Sequence, residues 1–131
     1  MTEELVTLET AKLLKAAGFK EDVSSFYELV YKGGSGPEYE IDESYDAQNY
    51  NTDVYSISAP TQSIAQKWLR ETKNLHITIY NSASGYTYDI SKADMGTALY
   101  CFPEGPNDAG NWDTYEETLE AGIQKALKLI I

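Results

Sequence analysis

The chain has 131 residues, enough for one compact domain with its own core and too few for two ordinary ones. Ten Lys and Arg face twenty-one Asp and Glu, a formal net charge of −11 that repels polyanions at long range and argues against direct nucleic-acid binding. A single cysteine, Cys101, excludes an internal disulfide, and no signal-like or membrane-spanning apolar run is visible, so a soluble cytoplasmic protein is expected.

In chain order, "VTLETAKLLKAAGF" predicts a first helix. Thr7 caps its start, Leu8, Ala11 and Leu14 fall at helical spacing, and Gly18 supplies a left-handed stop that lets Phe19 fold back on Leu14. "SSFYELVYK" alternates with period two, placing Tyr27, Leu29 and Tyr31 on one face and Phe26, Glu28 and Val30 on the other. "GGSGP" ends that strand. Its glycines lack the lysine and spacing of a phosphate loop and read as a turn.

Glu38 to Asp53 reads as the least regular part, with six acids, no base and three tyrosines, and room for a short strand at Tyr39 to Ile41. "VYSIS" suggests another short strand. In "ISAPTQSIAQKWLRE", Pro60 and Thr61 mark a helix start, Ile64, Ala65, Trp68 and Leu69 form its inner face, and Asn74 ends it. "LHITIYNSASGYTYDIS" predicts a hairpin, and "TALYCF" a further strand stopped by Pro103. The last helix follows the loop Pro103 to Asn111. Either Asp113 with Glu116 or Thr114 with Glu117 caps it. Tyr115, Leu119, Gly122, Ile123, Ala126, Leu127 and Ile130 form its apolar stripe, in which Gly122 implies close approach of a neighbour. The apolar ending Leu129-Ile130-Ile131 is expected to tuck into the fold or into a partner. Together these elements predict an α+β fold, an antiparallel sheet with about three helices packed on it, as a two-layer single domain over residues 1–131.

Candidate chemistry is sparse. Lys67, Arg70 and Lys73 form a basic stripe, but no helix stands just before it as a helix-turn-helix needs, so it reads as a solvated face. "DESYDAQNYNTD" (Asp42 to Asp53) has oxygen ligands at some calcium-loop positions, but Ala47 replaces the turn glycine and neither flank is helical. His76 and Cys101 would suit nucleophilic catalysis only if paired; alternation turns His76 outward, and Cys101 reads as a small core residue. No catalytic, cofactor or metal site is assigned. The tyrosines interleaved with acids are expected to form a contact surface: Tyr39, Asp42, Glu43, Tyr45, Asp46, Tyr50, Asp53 and Tyr55.

"LVTLETAKLLKAAGF", "SAPTQSIAQKWLRETKNLHITI" and "YEETLEAGIQKALKLI" together resemble the signature of a family of small uncharacterised proteins of Bacteroides-type gut bacteria and their phages. The acidic middle lies outside these motifs. The resemblance implies an intracellular protein of phage or mobile-element context and transfers no activity or site. The expected function is a non-enzymatic protein-binding or accessory module. Its partner is an unidentified, basic protein, or further copies of the chain in a homo-oligomer. Two alternatives stand beside it: an acidic decoy that mimics nucleic acid toward a basic host protein, and a small hydrolase using carboxylates or a bound cation.

Overall fold

The computed structural model describes residues 3–34, 36–93 and 98–131. The chain runs α1 (Leu8–Ala16), β1 (Val23–Tyr31), β2 (Pro37–Gln48), a 3-10 turn (Tyr50–Thr52), β3 (Ser56–Ser58), α2 (Gln62–Lys73), β4 (His76–Ser82), β5 (Gly85–Ser91), β6 (Ala98–Tyr100) and α3 (Tyr115–Ile130). The class is α+β with antiparallel pairing throughout. The strands divide between two three-stranded sheets, ordered β2-β1-β3 and β4-β5-β6. No helix among the described residues is long and apolar enough to cross a membrane.

The three helices are bounded by local chemistry. Thr7 accepts from the Thr10 N–H at the start of α1, and the far end closes with Phe19 N–H on Leu14 C=O (3.0 Å) and Gly18 N–H on Lys15 C=O (3.2 Å), with Gly18 at φ 94°. That is a Schellman ending, and its hydrophobic pair Phe19 and Leu14 is fully buried. Thr61 caps α2 through the Ile64 N–H, and Asn74 ends it in the left-handed region at φ 55°. Of the two caps open to α3, the structure uses Thr114, whose hydroxyl accepts from the Glu117 N–H at 3.1 Å.

The helix α3 is the hub. It packs against α1, α2, β4 and β5, and Leu119, Gly122, Ile123, Ala126 and Leu127 are all buried in these contacts. Ala65, Trp68 and Leu69 of α2 join the same core, and Trp68 meets Phe19 edge-on at 5.5 Å. Ile64 departs from expectation: it is 41% exposed, because Gln62 and Gln66 turn inward instead. Gln66 donates to Ile77 C=O at 3.0 Å. The first sheet joins this body through α1 and β3, with the Tyr27 hydroxyl on Val6 C=O (2.9 Å) and Lys15 Nζ on Asp53 and Ser56 carbonyls (2.7 and 2.8 Å).

Three further expectations are corrected. The run Glu38 to Asp53 is not irregular: its greater part is the long strand β2, because β1 pairs with it in antiparallel register from Tyr31–Pro37 to Ser25–Glu43. Cys101 is exposed rather than in the core, since β6 stops at Tyr100 and Phe102, at φ 58°, turns the chain away (Thr97, the first residue of the expected strand, lies outside the described residues). Leu129, Ile130 and Ile131 are exposed and are not tucked into the fold, because the stripe of α3 has passed the end of its neighbours.

Gly122 does mark a close approach. A Cβ there would stand 2.9 Å from Ile77 Cγ2 and 3.4 Å from Tyr88 Cγ. Alanine gains about 1 kcal/mol of helix propensity, but crowding a branched core side chain costs about 1–3 kcal/mol. Gly122→Ala is therefore expected to lower stability by about 1 kcal/mol, read as a lower denaturant midpoint at unchanged slope; an equal or higher midpoint contradicts the packing account. The same contact buries Tyr88, and burial, with the neighbouring Tyr100 second, pushes its hydroxyl up to about 12 from an ordinary 10.0. A raised tyrosine pKa stabilises the fold fully below the unfolded value, and that contribution is lost as pH rises through the folded one. Stability should thus fall between about pH 10 and about pH 12 in alkaline denaturation, and Tyr88→Phe should flatten that fall.

Candidate contact surface

The eight residues expected to form a surface do not all lie on one. Asp42, Glu43, Tyr45 and Asp46 are exposed along β2. Tyr45 is fully exposed because the pairing of β1 with β2 jumps from Ser25–Glu43 to Val23–Gln48, so the residues between bulge out of the ladder. Tyr39 is half-buried, with Lys12 Nζ 5.2 Å from its ring centre. Asp53 and Tyr55 are exposed, yet their carbonyls are tied down, by Lys15 and by the Leu29 N–H (2.9 Å) respectively. Tyr50 is not a surface residue. It is 8% exposed, stacks on Phe26 at 4.0 Å, and buries its hydroxyl without a hydrogen-bond partner among the described residues.

Register adds residues that composition alone did not single out. Cross-strand partners share a face of a sheet. Glu28 lies opposite Glu40, Val30 opposite Glu38 and Phe26 opposite Asp42, so one face of the hairpin carries Glu28, Glu38, Glu40 and Asp42. The other face pairs Tyr27 with Ile41, Leu29 with Tyr39 and Tyr31 with Pro37. Near α1 this second face is covered, but farther out Tyr31 is 72% and Ile41 50% exposed. Among the described residues the one salt bridge is Lys32 with Glu40. The signal for this arrangement was present as the alternation Glu38-Tyr39-Glu40-Ile41-Asp42 directly after a Gly-rich turn.

A second acidic region is a groove of about 550 Å³ between the segment around Glu4 and the first turns of α3, walled by Trp112, Glu116, Glu117 and Glu120. Glu120 accepts from the Thr7 N–H (3.0 Å), the Thr7 hydroxyl (3.0 Å), the Thr10 hydroxyl and the Gln62 amide (2.9 Å). Three of these donors meet Oε2 and one meets Oε1 of a carboxylate that offers roughly four acceptor sites. It ties α1 and α2 to α3. Nearby, burial first and the Glu120 charge second raise the Tyr27 hydroxyl above its ordinary value.

The remaining candidates are placed apart from these regions. Lys67, Arg70 and Lys73 are exposed on α2, and Lys73 Nζ lies 5.6 Å from the Trp68 ring centre. The His76 ring is bonded to Asn74 Oδ1 at 3.1 Å, while Cys101 lies exposed beyond β6. The Asp42 to Asp53 run begins in a strand, and among the described residues no group of three or more His, Cys, Asp or Glu is placed to hold a metal ion. Comparison with known protein families, with curated proteins and with solved structures gives no match to this chain.

Removing the Glu120 carboxylate leaves the Thr7 N–H and the Thr10 hydroxyl without that acceptor, and leaves the Gln62 amide only the Glu116 carbonyl. Glu120→Ala is expected to lower stability by about 2–3 kcal/mol, with Glu120→Gln recovering part of the loss, as measured by denaturant unfolding. A change within about 0.5 kcal/mol would show the tie to be dispensable.

Proposed function

We propose that the protein is a non-enzymatic contact module that receives a basic protein partner through the hairpin β1–β2. The observation that carries this reading is the face bearing Glu28, Glu38, Glu40 and Asp42, where one cation, Lys32, stands against four carboxylates. Charge of one sign gathered on an exposed face steers oppositely charged partners and raises their association rate. Exposed Tyr31, Ile41 and Tyr45 beside it supply the apolar and aromatic area that such contacts use for affinity. The sharper form of the proposal is an acidic decoy. A regular row of negative charge is what a surface built for a phosphate backbone receives, and a cytoplasmic, phage or mobile-element setting belongs to this form.

An oligo-arginine peptide is a sufficient probe. It is expected to bind at low salt, to weaken steeply as salt rises, and to lose about tenfold or more in affinity when Glu28, Glu38, Glu40 and Asp42 are changed together to Gln or Asn. Neutralising Glu104, Asp108, Glu116 and Glu117 instead should cost little. Equal losses from both variants would mean that net charge alone is at work, and the proposal would fail.

A further inference from the structure

The two sheets have four outer edges, and three of them are short or engaged by neighbouring groups. On β3, the Ser58 N–H bonds Asn51 Oδ1 (2.8 Å) and the Ser56 carbonyl takes Lys15 Nζ. On β4, Gln66 of α2 occupies the Ile77 carbonyl. The edge of β6 is three residues long and ends in the turned-away Phe102 before Pro103. The fourth, the outer edge of β2, is different. From Pro37 to Glu43 it pairs with β1 in unbroken register, about 23 Å of regular strand at about 3.3 Å per residue. Among the described residues no group from outside the hairpin bonds to its backbone.

We infer that this edge is a docking site for an extended segment of a basic partner, which adds as a further strand beside β2 and alternates Lys or Arg with apolar residues. The inference rests on the contact-module reading and deepens it. Main-chain hydrogen bonds would supply affinity, and the two faces of β2 would supply selectivity. Alternate side chains of an added strand fall on the acidic face, beside Glu38, Glu40 and Asp42, and the others fall beside Tyr39 and Ile41. Charges on an edge strand commonly deter chance pairing. Here three of them, Glu38, Glu40 and Asp42, lie on one face, with exposed Ile41 and a single acid, Glu43, on the other, so they deter acidic edges and select basic ones. A second copy is disfavoured for the same reason: antiparallel β2–β2 pairing about a two-fold axis sets carboxylates beside carboxylates.

Hydrogen exchange separates strand addition from mere charge attraction. The probe is a short peptide alternating lysine with valine, compared at low salt with the same peptide N-methylated at alternate positions. The unmodified peptide is expected to slow exchange of amides between Pro37 and Glu43 by about tenfold or more, and the methylated one to leave them unchanged. Binding of both peptides without protection of β2 overturns strand addition and leaves the contact-module reading standing. Binding of neither overturns both.

Discussion

Three helices meet at the carboxylate of Glu120, and the rest of the molecule depends on that meeting. Its oxygens hold the capping residue and first turn of α1 and the first residue of α2 against the middle of α3. Gln124, one turn along, donates to the Thr10 hydroxyl at 2.9 Å, and Gln62 also reaches the Glu116 carbonyl. An apolar stripe fixes that helices pack but specifies poorly how far each slides. A polar cluster satisfied at one register alone removes that freedom. With α1 fixed, Val6 is placed to accept from Tyr27, and Lys15 to reach β3, so the first sheet inherits its position from the helical tie.

This division of labour explains why the acidic surface falls where it does. The inner side of the sheet β4-β5-β6 is taken up by α3, as the contact of Gly122 with Ile77 and Tyr88 shows. The sheet β2-β1-β3 touches the helices chiefly through β3 and the near half of β1, and its far hairpin extends beyond them. Residues out there contribute little to the core, so their side chains are released from packing and carry charge and exposed aromatic rings instead. Placing Glu28 directly across from Glu40 costs stability, and Lys32 offsets that in part.

Legibility followed the range of the interactions concerned. Caps are local, so Thr7, Thr61 and Asn74 were readable from a few neighbours, and the Schellman ending at Gly18 and Phe19 likewise. Gly122 was readable because a glycine inside an apolar stripe has few other reasons to be there. What failed was non-local. The strand β2 has an alternating start, but the bulge around Tyr45 breaks the period before the run is long enough to stand out. Tyr50 looked like its exposed neighbours because only the fold brings Phe26 beneath it. Glu120 gave no signal at all, since its donors lie more than fifty residues away. Cys101 misled by its apolar neighbours, when the chain turns outward one residue later.

The candidate surface shows why the eight residues first grouped by composition do not share one face. Composition marks a segment, whereas a contact surface belongs to a face. Pairing splits Glu38 to Asp42 between two faces and recruits Glu28, Val30 and Tyr31 from a different strand. What reads by composition as the least regular, acidic part of the chain is then one acidic face and one partly apolar face meeting at an open backbone edge. A solvated loop needs charge only to stay in water and is indifferent to its spacing. A strand sets those charges at a fixed interval of about 6.6 Å, a spacing that follows from the backbone and not from the side chains themselves.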